Sequence, residues 1–134
     1  MRTYLVSLLL FCSVLLPLQA QDSATTLPTV TAFDCPKYPS KAESMRLQGM
    51  VKMQVTTDGH KVVDIKLLPS HPLLASSAEE NVRTWKFADH TPTTFIVTYN
   101  YVDQGHFKRD PVTKCSAKMD LPTRVTVSTK LSFP

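Results

Sequence analysis

Four histidines (His60, His71, His90 and His106), the adjacent pair Glu79 and Glu80, and the dipeptide Ser70-His71 are the side chains that could do acid-base, metal or nucleophilic chemistry. Their spacing argues against all three. A zinc site draws on ligands that converge, commonly in closely spaced pairs, and these histidines fall one to a stretch with no such pair. A serine nucleophile needs a base within hydrogen-bond reach and an acid to orient that base. Ser70 and His71 are chain neighbours that cannot easily face each other, and no orienting acid is apparent. Ser70 reads instead as the cap of the helix that follows it, and the histidines read as solvated loop residues. Glu79 and Glu80 are adjacent on a predicted helix, so they point to different sides and cannot work as a carboxylate pair. These residues predict a chain that is not an enzyme and holds neither metal nor cofactor.

The cysteines point to a compartment. Cys12 lies in the apolar run "YLVSLLLFCSVLLPL", preceded by Arg2 and followed by "LQA" before Gln21. That order fits a secretory signal peptide, residues 1–20, removed near Gln21. The alternative is a retained membrane anchor, although the run is shorter than the ~20 residues a spanning helix needs and Pro17 interrupts its end. Phe11 before Cys12 fits lipidation poorly. Export leaves Cys35 and Cys115, an even pair in an oxidising compartment, and predicts a disulfide between them.

The formal net charge of +4 falls to about +3 without Arg2, and no block of like charges remains. No basic stripe interleaved with aromatics occurs, so nucleic acid is not an expected partner. A membrane would be met only through an uncleaved signal segment. The ~114 residues after the signal suffice for one small core that buries somewhat over ~60% of the surface of the unfolded chain.

The elements follow from local pattern. Residues 21–37, "QDSATTLPTVTAFDCPK", are Thr-rich with two prolines and no apolar period, and read as a linker. "YPSKAESMRLQG" places Pro39 where a first helical turn tolerates it and carries Ala42, Met45 and Arg46 at helical spacing, with Gly49 as the left-handed stop. Val51, Met53 and Val55 then alternate with Lys52 and Gln54. After an Asp58-Gly59 turn, Val63, Ile65 and Leu67 alternate with Asp64 and Lys66, which predicts a β-hairpin. From Pro72 to Trp85 the period changes: Leu74, Ala78, Val82 and Trp85 form one helical stripe. Trp85 is thus expected in the core rather than as an exposed platform, packed with Val51, Val63, Ile65, Val82 and Val97. "TFIVTYNYV", residues 94–102, supplies a third strand with Phe95, Val97, Tyr99 and Tyr101 inward. In the tail, residues 103–134, a loop carrying Cys115 precedes "PTRVTVSTKLSFP", whose alternation predicts an additional edge strand over 123–132. The fold class is α+β: a small antiparallel sheet of three to four strands packed with two helices.

At this point the order of motifs resembles a known family. Tyr38-Pro39 with Ala42, Gly49 and Val51, the Asp58-Gly59 turn with Val62, Ser70, and Trp85 with Phe87 are similar to the carboxy-terminal domain of TonB, the periplasmic energy transducer. The likeness spans the domain expected at 38–102. It departs after Phe87, where "ADHTPTT" replaces the usual Trp-x-Phe-x-Pro continuation. It also departs before the domain: residues 21–37 reach at most ~60 Å even fully extended, whereas a transducer carries a long Pro-rich span. The expectation is a TonB-like terminal domain exported alone.

The resemblance implies recognition through backbone. A sheet edge accepts an extended peptide as an added strand, with main-chain hydrogen bonds giving affinity and alternate side chains giving specificity. The family's domain grips a short segment of outer-membrane receptors along its last strand, which here places the partner-binding edge at Thr94, Ile96, Thr98, Asn100 and Val102. The alternative is that the tail strand covers that edge and closes it. The expected function is a periplasmic protein-binding module linked to TonB-dependent transport, its partner a receptor peptide or another envelope protein. A structural or self-associating envelope protein, by homodimerisation at open edges, or a small secreted inhibitor or ligand-binding domain are the alternatives.

Overall fold

The computed structural model describes residues 26–103, 115 and 117–129. The expected signal segment, His106 and most of the predicted Cys115 loop lie outside these residues. Among the described residues, seven strands and two helices occur in the order β1 (Val30–Ala32), α1 (Ser40–Ser44), β2 (Gly49–Thr57), β3 (Val62–Leu67), α2 (Pro72–Val82), β4 (Lys86–Phe87), β5 (Thr94–Val102), β6 (Ala117–Asp120) and β7 (Arg124–Ser128). The fold is α+β.

The main sheet has five strands in the order β3-β2-β5-β7-β6, and β1 pairs with β4 in a separate two-stranded ribbon. β2 pairs antiparallel with β3 on one side and β5 on the other. The sheet is mixed rather than antiparallel because β7 lies parallel to β5, with Thr98 opposite Arg124 and Val102 opposite Ser128. β7 can lie parallel to β5 because β6, antiparallel to both, carries the chain back along the sheet before β7 enters between them. The tail re-enters as an antiparallel β6-β7 hairpin.

Alternation decides the core. Val51, Met53 and Val55 of β2 and Phe95, Val97, Tyr99 and Tyr101 of β5 are buried on one sheet face, joined there by Val125, Val127 and Ala117 of the tail. Leu74, Ala75, Ala78 and Val82 of α2 cover this face. Trp85 is fully buried just past the end of α2, in contact with the rings of Phe87 and Tyr99. The row continues from Tyr99 to Tyr101 and on to Tyr38, which meets Tyr101 edge-on.

Several expectations are corrected. Val63 is not a core residue: it is 50% exposed. A β-bulge between Thr56 and Thr57 puts Val62, not Val63, opposite Thr57, so the inward phase set by Ile65 shifts by one residue beyond the bulge. Helix α1 ends at Ser44 with Met45 as its C-cap, and it is Arg46, not Gly49, that takes the left-handed conformation (φ 50°), while Gly49 opens β2. The cap of α2 is His71 rather than Ser70: its Nδ1 accepts from the backbone N–H of Leu73. The expected linker carries β1, whose neighbour Thr29 accepts from the Ala88 N–H, so this stretch is part of the fold. The residues read as a tail loop contain β6, too short at four residues for its alternation to show in sequence.

Candidate interaction edges of the sheet

β5 carries the residues expected to dock a partner. Its outward side chains, Thr94, Ile96, Thr98 and Asn100, sit on the solvated face of the sheet while Phe95, Val97 and Tyr99 face the core. The strand is not, however, an edge over its second half. The Thr98 N–H donates to Thr123 and the Thr129 N–H donates to Val102, at the two ends of the parallel β5-β7 ladder. In such a ladder the outward backbone groups of Thr98, Asn100 and Val102 are consumed by the chain's own tail. Only Thr94 and Ile96 lie beyond the start of β7, and Ile96 is 47% exposed.

The tail that covers β5 is built in rather than laid on. Val125 and Val127 are fully or almost fully buried against the same core as Trp85. Just before β6, Cys115 is disulfide-bonded to Cys35 with a Cα separation of 5.4 Å. On the other side of that bond, the segment from Asp34 to Lys37 is held to α2. Asn81 donates from its amide nitrogen to the Asp34 carbonyl at 2.8 Å and accepts from the Tyr99 hydroxyl at 2.6 Å; Ser77 donates to the Lys37 carbonyl. One buried amide thus joins the leading segment, helix and central strand.

Among the described residues the main sheet has two edge strands. On the tail side is β6. Arg124 and Thr126 use their backbone groups toward β6, since their neighbours in β7 serve β5, so Lys118 and Asp120 answer them while Ala117 and Met119 direct N–H and C=O outward. On the hairpin side is β3. The Leu68 N–H donates to Lys52, which fixes Lys66 and Asp64 as the residues bonded to β2 and leaves Ile65 and Leu67 facing outward.

The three described histidines make contacts within the fold. His90 is half-buried: its Nδ1 donates to the Ala88 carbonyl at 2.8 Å, and its Nε2 is hydrogen-bonded with the Thr57 hydroxyl at 2.6 Å. It is thus not the solvated residue expected. Exposed His60 meets exposed Asp89 at 2.8 Å. In the hairpin loop, Asp58 accepts from the backbone N–H groups of Lys61 and His60, which hold its carboxyl below the ordinary carboxylate range. Gly59 has φ 107°, and a β-carbon there would stand 2.6 Å from the His90 carbonyl oxygen, so the loop requires glycine. Among the described residues no three His, Cys, Asp or Glu side chains are grouped to hold a metal ion. Of the concavities, one of about 170 Å³ between Asp34, Lys37 and α2 is below the usual size of ligand pockets. One of about 440 Å³ beside Leu27 and Pro92 is open and bordered by threonines.

The model of the family described as Gram-negative bacterial TonB protein C-terminal matches residues 34–102. The chain belongs to this TonB C-terminal family. The matched span runs from the residue before Cys35 to the last residue of β5, so the β6-β7 tail lies beyond it. A solution structure of the TonB C-terminal domain of Pseudomonas aeruginosa is similar to this TonB-type chain at 20% identity, covering 58% of this chain and 88% of that one with a TM-score of 0.49. Comparison with curated proteins gave no match. The TonB C-terminal assignment makes the chain a protein-interaction module of the cell envelope. No helix among its described residues is long and apolar enough to cross a membrane.

Proposed function

We propose that this TonB-type domain works in the periplasm, where it recognises an extended peptide of an outer-membrane receptor by strand addition at the tail-side edge of its sheet. The observation that carries this reading is the occupancy of β5: the side on which the resemblance places the docking strand is filled by β7, and the free edge on that side moves two strands outward to β6. Displacing β7 to reopen β5 would expose Val125 and Val127 and would work against the tether at Cys115, so the peptide meets β6 instead. Ala117 and Met119 offer it two N–H and two C=O groups. At roughly 1 kcal/mol net for each backbone bond, four bonds give weak binding once the peptide's ordering entropy is subtracted, and the flanking Lys118 and Asp120 supply selectivity by charge. This suits a transient grip rather than a permanent complex.

Titration of the oxidised chain with synthetic peptides from the periplasmic ends of TonB-dependent receptors tests the proposal. Met119→Pro removes an outward donor while leaving the β6-β7 bonds of Lys118 and Asp120 in place, and should abolish binding. Met119→Ala should weaken it only a few-fold. A folded Met119→Pro chain that binds as the parent does would place the site elsewhere.

A further inference from the structure

The opposite edge of the sheet has a different character. β3 is six residues long, and Val63 and Leu67 along it and Leu68 just past its end are 50%, 38% and 38% exposed. Natural sheets protect free edges with short strands, charge or proline. β6 follows that rule, with four residues of which Lys118 and Asp120 are exposed. β3 also carries exposed charge, at Asp64 and Lys66, but it is longer and sets that pair among exposed aliphatic side chains, and its sequence is complementary to itself.

From Val63 to Leu67 the chain reads Val-Asp-Ile-Lys-Leu. Set two copies of this segment antiparallel about Ile65, and Ile65 faces its own counterpart, Asp64 faces the second copy's Lys66, Lys66 faces the second copy's Asp64, and Val63 and Leu67 meet at both ends. The backbone parity agrees. Because Lys66 and Asp64 bond to β2, Ile65 and Leu67 present their N–H and C=O groups outward, so the central Ile65 pair exchanges two hydrogen bonds. The charged pairs then occupy the adjacent non-bonded positions, where opposite side chains are closest. Asp64 and Lys66 lie opposite Thr56 and Gln54 on the solvated face, so both ion pairs form on the same side of the joined sheet. The window is bounded: Lys61 is already bridged to Lys86 of β4, and Pro69 ends the strand beyond Leu68.

We infer that this edge is an isologous dimer interface, in which β3 of two copies pairs antiparallel about Ile65 and joins their five-stranded sheets into one of ten strands. Charge complementarity names the occupant: a second copy satisfies both Asp64 and Lys66 in the one register that also centres Ile65. The tail-side edge stays free in each copy, so the interface does not depend on the peptide reading.

Charge exchange tests it. By sedimentation equilibrium over a wide concentration range, the oxidised parent chain should show a monomer-dimer equilibrium. Asp64→Lys places lysine against lysine twice, and Lys66→Asp places aspartate against aspartate twice. Each should raise the dissociation constant about tenfold or more while near-UV circular dichroism stays that of the parent. The double variant Asp64→Lys/Lys66→Asp restores complementarity and should dimerise like the parent, and the two single variants mixed should associate with each other better than either does alone. A parent that remains monomeric at every concentration, or single variants that dimerise unchanged, overturns the inference. Slowed amide exchange at Ile65 and Leu67 that appears only when a receptor peptide is added to a monomeric chain gives this edge to the peptide, and overturns it equally.

Discussion

Trp85 shows at the scale of one residue how far the sequence could be read. The helical stripe of Leu74, Ala78 and Val82 pointed to a buried indole, and the side chain is fully buried although the helix stops at Val82 and a turn delivers it. Its Nε1 has no hydrogen-bond partner among the described residues, so its contribution is packing. Trp85→Ala should therefore cost roughly 3–5 kcal/mol by leaving a large cavity, whereas Trp85→Phe should cost distinctly less, since no hydrogen bond is lost; urea denaturation of the two variants measures the difference. The tyrosines beside it make a second prediction. Burial is the main cause that raises the ionisation of both, that of Tyr101 to about 12 against a reference of 10.0. A raised tyrosine is neutral in both states below pH ~10, so its stabilising share is intact there and is lost as pH climbs from the reference value through the folded one. Stability should fall between about pH 10 and 12, and absorbance at the phenolate band should show Tyr99 and Tyr101 ionising together with unfolding rather than before it. Val63 was unreadable for a local reason: strict alternation makes it inward, and a bulge has no reliable sequence mark when both candidate residues are valine.

At the scale of elements, what repeats in the sequence was legible and what depends on distant partners was not. The β2-β3 hairpin, α2 and β5 carry periodic apolar residues over enough length to declare themselves, and the inward set of β5 was read correctly. The position of β5 in the sheet was not readable as one outcome, because nothing in "TFIVTYNYV" says whether its far side meets water or β7. Nor could two-residue β4, three-residue β1 and four-residue β6 be seen, since no period fits in so few residues. The disulfide was legible from the cysteine count and the expectation of export, and it tests the tail as an element. It closes a separation of 80 residues, for which the chain-entropy model gives about 4–5 kcal/mol. The double variant Cys35→Ser/Cys115→Ser should lose stability of that order by chemical denaturation. Thr98→Pro, which at an open edge would have disturbed only a partner, should here unfold or strongly destabilise the chain, because Thr98 bonds to the tail from inside the sheet.

For the whole molecule the decisive question is whether the family-matched span is a folding unit by itself. It ends with Val102, and everything that covers the far side of β5 comes later. Cut there, the chain would lose Cys115 and with it the tether to Cys35, uncover the part of the core that Ala117, Val125 and Val127 complete, and leave Thr98, Asn100 and Val102 with open backbone groups beside bare apolar surface. Burying each valine fully is worth roughly 1.5–3 kcal/mol, and the tether adds about 4–5 kcal/mol on the loop-entropy model. Together these match much of the 5–15 kcal/mol by which a domain is usually stable. A chain truncated after Val102 should therefore give no cooperative thermal transition, and should aggregate through the exposed strand. Scanning calorimetry and light scattering on the truncated and intact chains decide it. A truncated chain that melts cooperatively as a monomer would mean that the tail only covers β5, and peptide docking on Thr98 and Asn100 would again be open to it.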